Sequence, residues 1–320
     1  MDLASLLNQI QLHGKRAHCF HIHSTLCLKR NIKRELFPHK QSAQQGKNLL
    51  NEIETYLLSS LQEIIKLEFN KLLPEEKKMF FSGIFYDSSL FEDRPCQEVF
   101  FLKEKNLFIF INIDNHLTFY VMENDLLEGK ETLYFAENLL GKKFDYAFCP
   151  NFGFITYEDK NLGNGLEIKS YYHLPLISQA KTTSINQGII VSETLPLTVL
   201  KNGYNLGMSV DELFDLQILE EKKICAEQEH LRKNLELLFQ ENFKSDLAKA
   251  FGTLLYGYQL KKEELLTSLS LIKLGINLSL FAGISDDEIS KLLFQSMRIV
   301  NQEEAAKNAK ELILKGSLKF

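Results

Sequence analysis

The sequence predicts an α+β body followed by an all-helical tail. Three observations carry that prediction. From about residue 15 to 205, short runs rich in Phe, Ile, Val and Tyr stand between stretches of helical periodicity. From Ser209 onward the strand signal stops and amphipathic helices take over. Two S-x-x-E boxes, Ser209–Glu212 and Ser285–Glu288, mark helix starts there, because each pair of side chains satisfies the other's free N–H groups.

In chain order, 43–68 carries apolar residues at three- and four-residue spacing and reads as a helix. The expected strands are 98–102, 107–113, 117–122, 146–149, 152–157 and 168–173. After Ser209 a long charged helix runs through EEKKICAEQEHLRKNLELLF, and further helices follow. The expected domains are 15–235 and 236–320.

Composition narrows the function classes. The 320 residues are 45% apolar and 25% charged, as in ordinary globular proteins. A net charge of -5 argues against a general nucleic-acid binder. No apolar run approaches the roughly 20 residues that span a bilayer, and MDLASLLNQIQLHGKR lacks the apolar core and cleavage site of a secretory signal. Five scattered cysteines (Cys19, Cys27, Cys96, Cys149, Cys225) make no disulfide framework. A reduced, cytoplasmic protein is expected.

Two constellations stand out. His18-Cys19-Phe20-His21-Ile22-His23 offers metal-ligating types, but no second ligand pair stands at a usual spacing, so no metal site is expected. Residues 152–175, FGFITYEDKNLGNGLEIKSYYHLP, place Gly163 and Gly165 between two strands. Such glycines suit either a close backbone approach to a ligand or a turn needing positive φ.

That stretch resembles the ATP:guanidino phosphotransferases, and the bacterial protein-arginine kinases in particular, whose pattern is F-G-Y-L-T-x-C-P-T-N-L-G-T-G-L-R-A-S followed by H-L-P. Phe152, Gly153, Ile155, Thr156, Asn161, Leu162, Gly163, Gly165, Leu166 and His173-Leu174-Pro175 match it without a gap. In the same order, LKRNIKRELFPHK is similar to L-A-R-N-x with a following F-P, NIDNHL to N-E-E-D-H-L-R, and LGMSVDEL to L-G-x-S-E-E-E-I. FGTLLYGYQL and LIKLGINL resemble a helical segment of the protein-arginine kinases. The resemblance implies an antiparallel sheet flanked by helices, glutamine-synthetase-like, with a helical domain after it.

It also implies a chemistry. Phosphoryl transfer from Mg-ATP to a guanidinium depends on charge neutralisation and positioning, which arginine forks and carboxylates supply. At the family's motif positions this chain has changed most of those groups. Thr25, Cys27 and Thr118 replace arginines, Glu167 replaces another with reversed sign, and Glu158 and Asp159 replace the Cys-Pro pair. Arg30, His116, Asn161, Gly163 and Gly165 remain as implied nucleotide contacts. Asp114 stands where the family keeps a catalytic glutamate, and Glu193 is the one carboxylate of a shortened R-G-x-x-G-E loop, 191–196. The tail motif R-D-x-x-R-A becomes Glu304, Ala305, Asn308 and Ala309.

Removing one transition-state donor costs about 10² to 10³ in rate, so the expectation is a catalytically impaired homologue with a regulatory or scaffolding role. The alternatives are an active kinase using Lys29, Lys160 or Lys169 for arginine, and a non-enzymatic arginine or cation binder. Mg-ATP is the cofactor of an active member. A zinc-finger adaptor or the Clp protease system are the partners implied, and a homodimer is left open.

Overall fold

The computed structural model describes residues 16, 18–67, 69–74, 76–77, 96–175, 189–194, 196–203, 205–238, 240–298 and 302–319. Its largest feature is an eight-stranded sheet. The strands are β1 (His21–Arg30), β2 (Ile64–Leu67), β3 (Glu98–Leu102), β4 (Leu107–Ile111), β5 (Leu117–Glu123), β8 (Leu166–Tyr172), β9 (Ile189–Thr194) and β10 (Leu197–Asn202). Their spatial order is β2-β3-β4-β5-β1-β8-β10-β9. A small hairpin, β6 (Phe148–Cys149) and β7 (Gly153–Phe154), lies outside that sheet. The β2-β3, β3-β4, β4-β5 and β5-β1 pairs are antiparallel.

Every position of β1, β3, β4 and β5 is buried, which explains why they read as continuous apolar runs instead of an alternation. Register places Thr25, Cys27 and Lys29 opposite Met122, Tyr120 and Thr118, so these six share one face. Leu26, Leu28 and Arg30 point to the other.

That other face meets helix α2 (Leu126–Gly141), which Asp125 caps by accepting from the amides of Leu127 and Glu128. Gly129 permits the close approach, since a Cβ there would sit 2.7 Å from Leu26 Cδ1. Helix α1 (Ala43–Ser60) opens on a capping box between Ser42 and Gln45 and buries Leu49, Leu50, Ile53 and Leu57. It ends eight residues earlier than its periodicity predicts (Ser60 against 68). Leu61 is already extended, and Ile64–Leu67 joins the edge of the sheet against β3. Cross-strand pairing of the branched Ile64 and Ile65 outweighs helical periodicity there.

The tail is helical, as predicted. It holds α3 (Val210–Leu238), α4 (Gln240–Tyr256), α5 (Lys262–Asn277), α6 (Asp286–Arg298) and α7 (Gln302–Ile313), with a two-stranded ribbon of β11 (Phe281–Ala282) and β12 (Ser317–Leu318). Both predicted capping boxes form, at Ser209–Glu212 and Ser285–Glu288.

The described residues fall into two compact units. One comprises His23–Lys169 and Lys201–Gln217; the other comprises Arg16–Ile22, Ser170–Leu200 and Ile218–Phe320. The division lies inside α3, between Gln217 and Ile218; the expected boundary at residue 235 falls in the same helix. Within the second unit, Arg16 reaches Asp286, Asp287 and Ser290, and the buried Lys273 bonds Asp286, Ser290 and the Cys19 carbonyl. Cations thus fasten the His18–Ile22 segment to α6. Among the described residues, no three His, Cys, Asp or Glu groups come together in a way that could hold a metal ion, and no helix is long and apolar enough to cross a membrane.

Candidate functional site

The candidate site lies in the first unit, where the C-terminal end of β1 meets the β4-β5 turn and residues 153–169. Arg30 is almost fully buried and wholly engaged. Its Nε and Nη2 both reach Glu137 Oε1 on α2, at 2.7 and 2.6 Å. Nη1 donates to the carbonyls of Lys29 and Asn164, each at 2.8 Å, and the guanidinium lies 3.6 Å from the centre of the Phe154 ring. It is a strut between sheet, helix and turn.

Beyond Arg30, a polar knot fixes three loops together. Asn31 Nδ2 donates to Asn115 Oδ1 and to the Ile155 carbonyl, while its Oδ1 accepts from the His116 amide. Asn115 Oδ1 also accepts from the Tyr157 amide. His116 Nδ1 accepts from the Ile32 amide, so its Nε2 carries the proton and donates to the Leu36 carbonyl at 2.8 Å. Burial holds this imidazole neutral, with its pKa lowered to about 4 against the opposing pull of Leu36. Asp114 sits half-buried on the same turn, next to the knot.

The Asn161–Gly165 turn is built on backbone requirements. Gly163 and Gly165 have φ of +111° and +72°. A Cβ on Gly163 would lie 2.5 Å from the Asn205 carbonyl oxygen, and one on Gly165 would lie 2.6 Å from both Arg30 Nη1 and the Lys29 carbonyl oxygen. The Gly165 carbonyl accepts from the Lys29 amide, and the Gly163 carbonyl from the Phe154 amide. Asn161, buried, donates to Glu158 Oε2 at 2.7 Å.

On the Thr25-Cys27-Lys29 face the charges form a closed set. Lys29 Nζ, buried, pairs with Glu158 at 2.8 Å; Lys160 pairs with Glu158 at 3.0 Å; Lys169 pairs with Glu167 at 2.7 Å. Burial alone would raise the Glu167 carboxyl, but Lys169 and Lys29 bring it down to about 2. Burial alone would lower Lys29, but Cys27, Glu167 and Glu158 beside it raise its pKa. Cys27, between these charges, is pushed up to about 12 by burial and stays a thiol. Glu158 and Glu167 are thereby joined through Lys29. The three lysines that could have replaced arginine are the partners of the acidic residues. The E-x-K spacing of Glu167-Lys169 on β8 was a readable signal for one of these pairs, because residues two apart share a face of extended backbone; Glu158 and Lys160 meet instead at a single 3-10 turn, Asp159–Asn161. Nothing local announced Asn31, Asn115 or the role of Lys29.

Next to this network is a cavity of about 510 Å³ lined by Phe37, His39, Phe152, Tyr157, Asp159 and Leu162, among others. Glu193 belongs to β9, a strand at the sheet's edge and not the loop expected from the sequence; its side chain lies outside the described residues. Among the tail-motif positions, Ala305 and Ala309 are buried on α7 and serve packing.

Comparison with known proteins bears on this geometry. Residues 40–200 match the model of the ATP:guanido phosphotransferase C-terminal catalytic domain. The chain is 26% identical over 298 residues to a protein-arginine kinase of Clostridium perfringens, covering 86% of each. It is 28% identical over 294 residues to that of Halothermothrix orenii, covering 84% of this chain and 82% of the relative. Among solved structures, lombricine kinase shares the fold with a TM-score of 0.57 at 16% identity, over 71% of each chain.

Proposed function

The chain belongs to the ATP:guanido phosphotransferase family, and from that premise we propose that this member is a catalytically impaired homologue of the protein-arginine kinases with a regulatory or scaffolding role. The supporting observation is the Lys29-Glu158-Glu167 network, in which Glu167 stands where the resemblance places an arginine and Glu158 where it places the cysteine. The residues there do not fit a magnesium-bound triphosphate. Thr25, Cys27 and Thr118 bring no charge, Arg30 is committed to Glu137 and two carbonyls, and Lys29, Lys160 and Lys169 are each already paired with a carboxylate. A polyanion would have to displace Glu158 and Glu167 from their lysines or be repelled by them; a like-charge pair at about 5 Å costs roughly 3 kcal/mol at an effective dielectric of 20.

The retained groups have work that needs no nucleotide. Arg30, Asn31, Asn115 and His116 hold β1, the β4-β5 turn and residues 155–165 in one arrangement. By this reading the chain acts through binding, and its partner is a protein; the zinc-finger adaptor and Clp protease components implied by the resemblance are the first to assay. The test is a thermal-shift titration with Mg-ATP up to millimolar concentration, alongside a phosphotransfer assay on arginine-containing protein. The expected result is no shift and no transfer. A nucleotide-dependent rise in Tm, as mass action requires of any ligand bound to the native state, together with phosphoarginine formation, would overturn the proposal.

A further inference from the structure

We propose that the aromatic cavity of the first unit is a binding site for a methylated ammonium group, carried either by a small molecule such as choline or by a trimethylated lysine side chain. The rings of Phe37, His39 and Tyr157 are contiguous: Phe37 and His39 lie 5.9 Å apart between centroids, and His39 meets Tyr157 edge-on at 5.2 Å. Phe152, half exposed, adds a fourth ring to the lining. Asp159 supplies the charge. Of the three acidic residues that this chain places in the segment, Glu158 and Glu167 are neutralised by lysines, whereas Asp159 has no ion-pair partner among the described residues. An uncompensated carboxylate at an aromatic wall attracts a cation twice over, through its own charge and through the ring quadrupoles.

The kind of cation follows from hydrogen-bond bookkeeping. A guanidinium presents five N–H donors in a plane and is best held by paired carboxylate acceptors. This lining offers one carboxylate side chain, and the Thr156 hydroxyl already donates to the Glu158 carbonyl. A methylated ammonium has few or no donors to satisfy, so ring faces and one carboxylate suffice. The walls are set in advance by the polar knot. His116 holds the carbonyl of Leu36, next to Phe37, and Asn115 holds the amide of Tyr157. Such preorganisation reduces the ordering cost of binding.

Calorimetric titration of the full chain tests it, with choline, a trimethyl-lysine peptide, and the same peptide carrying lysine or arginine at that place. Both methylated probes are expected to bind, with the trimethyl-lysine peptide at least about tenfold tighter than its lysine and arginine forms. Tyr157→Ala and Asp159→Asn, both at exposed positions, should each weaken binding about tenfold, and Tyr157→Phe should keep it. Choline matching the peptide assigns a small-molecule source; a much tighter peptide assigns a protein source. Arginine equal to trimethyl-lysine, no binding by either methylated probe, or binding indifferent to both weakening variants would each overturn the proposal.

Discussion

Arg30 and Lys29 are adjacent buried cations on opposite faces of one strand, and their surroundings differ in kind. Arg30 is gripped by backbone and by one helix carboxylate: two carbonyls, Glu137 and the face of Phe154. Lys29 is held by side chains that depart from the family pattern, Glu158 directly and Glu167 through its field. Arg30, Asn31 and His116, which tie backbone to backbone, match the motifs of the resemblance, whereas Asn115 of the same knot stands where the motif has aspartate and Glu167, across the sheet, where it has arginine. Two sets of contacts, one holding backbone and one pairing side-chain charges, are thus written into the same ten-residue strand.

Removing each cation in turn tests that separation, with the larger effect expected from the structural one. Arg30→Met leaves Glu137 and the Lys29 and Asn164 carbonyls without their donor, and urea unfolding should show a loss of about 5 kcal/mol. Lys29→Met should cost about 3 kcal/mol, and pairing it with Glu158→Gln should restore at least about 1 kcal/mol. If the double variant is no more stable than the single, the ionic network is not a coupled unit and the comparison with Arg30 fails.

The polar knot gives a pH-dependent arm. His116 binds a proton less readily in the native state than when unfolded, its pKa lying near 4 instead of 6.5. Stability from this group is therefore full above about pH 6.5 and falls as pH drops toward 4. Between pH 7 and 4.5 the native chain should lose about 2–3 kcal/mol more than His116→Gln. Equal pH slopes for the two would place the imidazole outside the knot. Gly165→Ala has a smaller expected effect, about 2 kcal/mol, from positive φ and contact with the Lys29 carbonyl. Gly207→Ala, at φ +82° with nothing near its Cβ, isolates the backbone share at about 1 kcal/mol.

Much of the fold was legible because its causes are local. Phe- and Ile-rich runs became β3, β4 and β5, and both S-x-x-E boxes became helix starts. What could not be read depends on partners far away in sequence. Ile64–Leu67 continues a helical pattern until β3 is present to pair with it. β9 and β10 carry short β-branched runs, IIV and LTVL, that lie outside the expected strands. The acidic substitutions were visible as residues, but the pairing of Glu158 with Lys29 spans 129 positions, and the Asn31–Asn115 bond spans 84. Charges in a sequence state their sign and leave their partners unstated. The aromatic cavity is drawn from two segments, near residues 37–39 and 152–162, and neither announces it alone.

The turn at Gly163 and Gly165 bears on evolutionary history. Its shape is dictated by positive φ and by carbonyl contacts that are indifferent to whether arginine or glutamate follows at position 167. A lineage can therefore exchange the charge beside this turn without rebuilding the chain path. Such a scaffold keeps its path while the charges beside it change, provided that each buried charge brings its partner, as Glu167 does with Lys169.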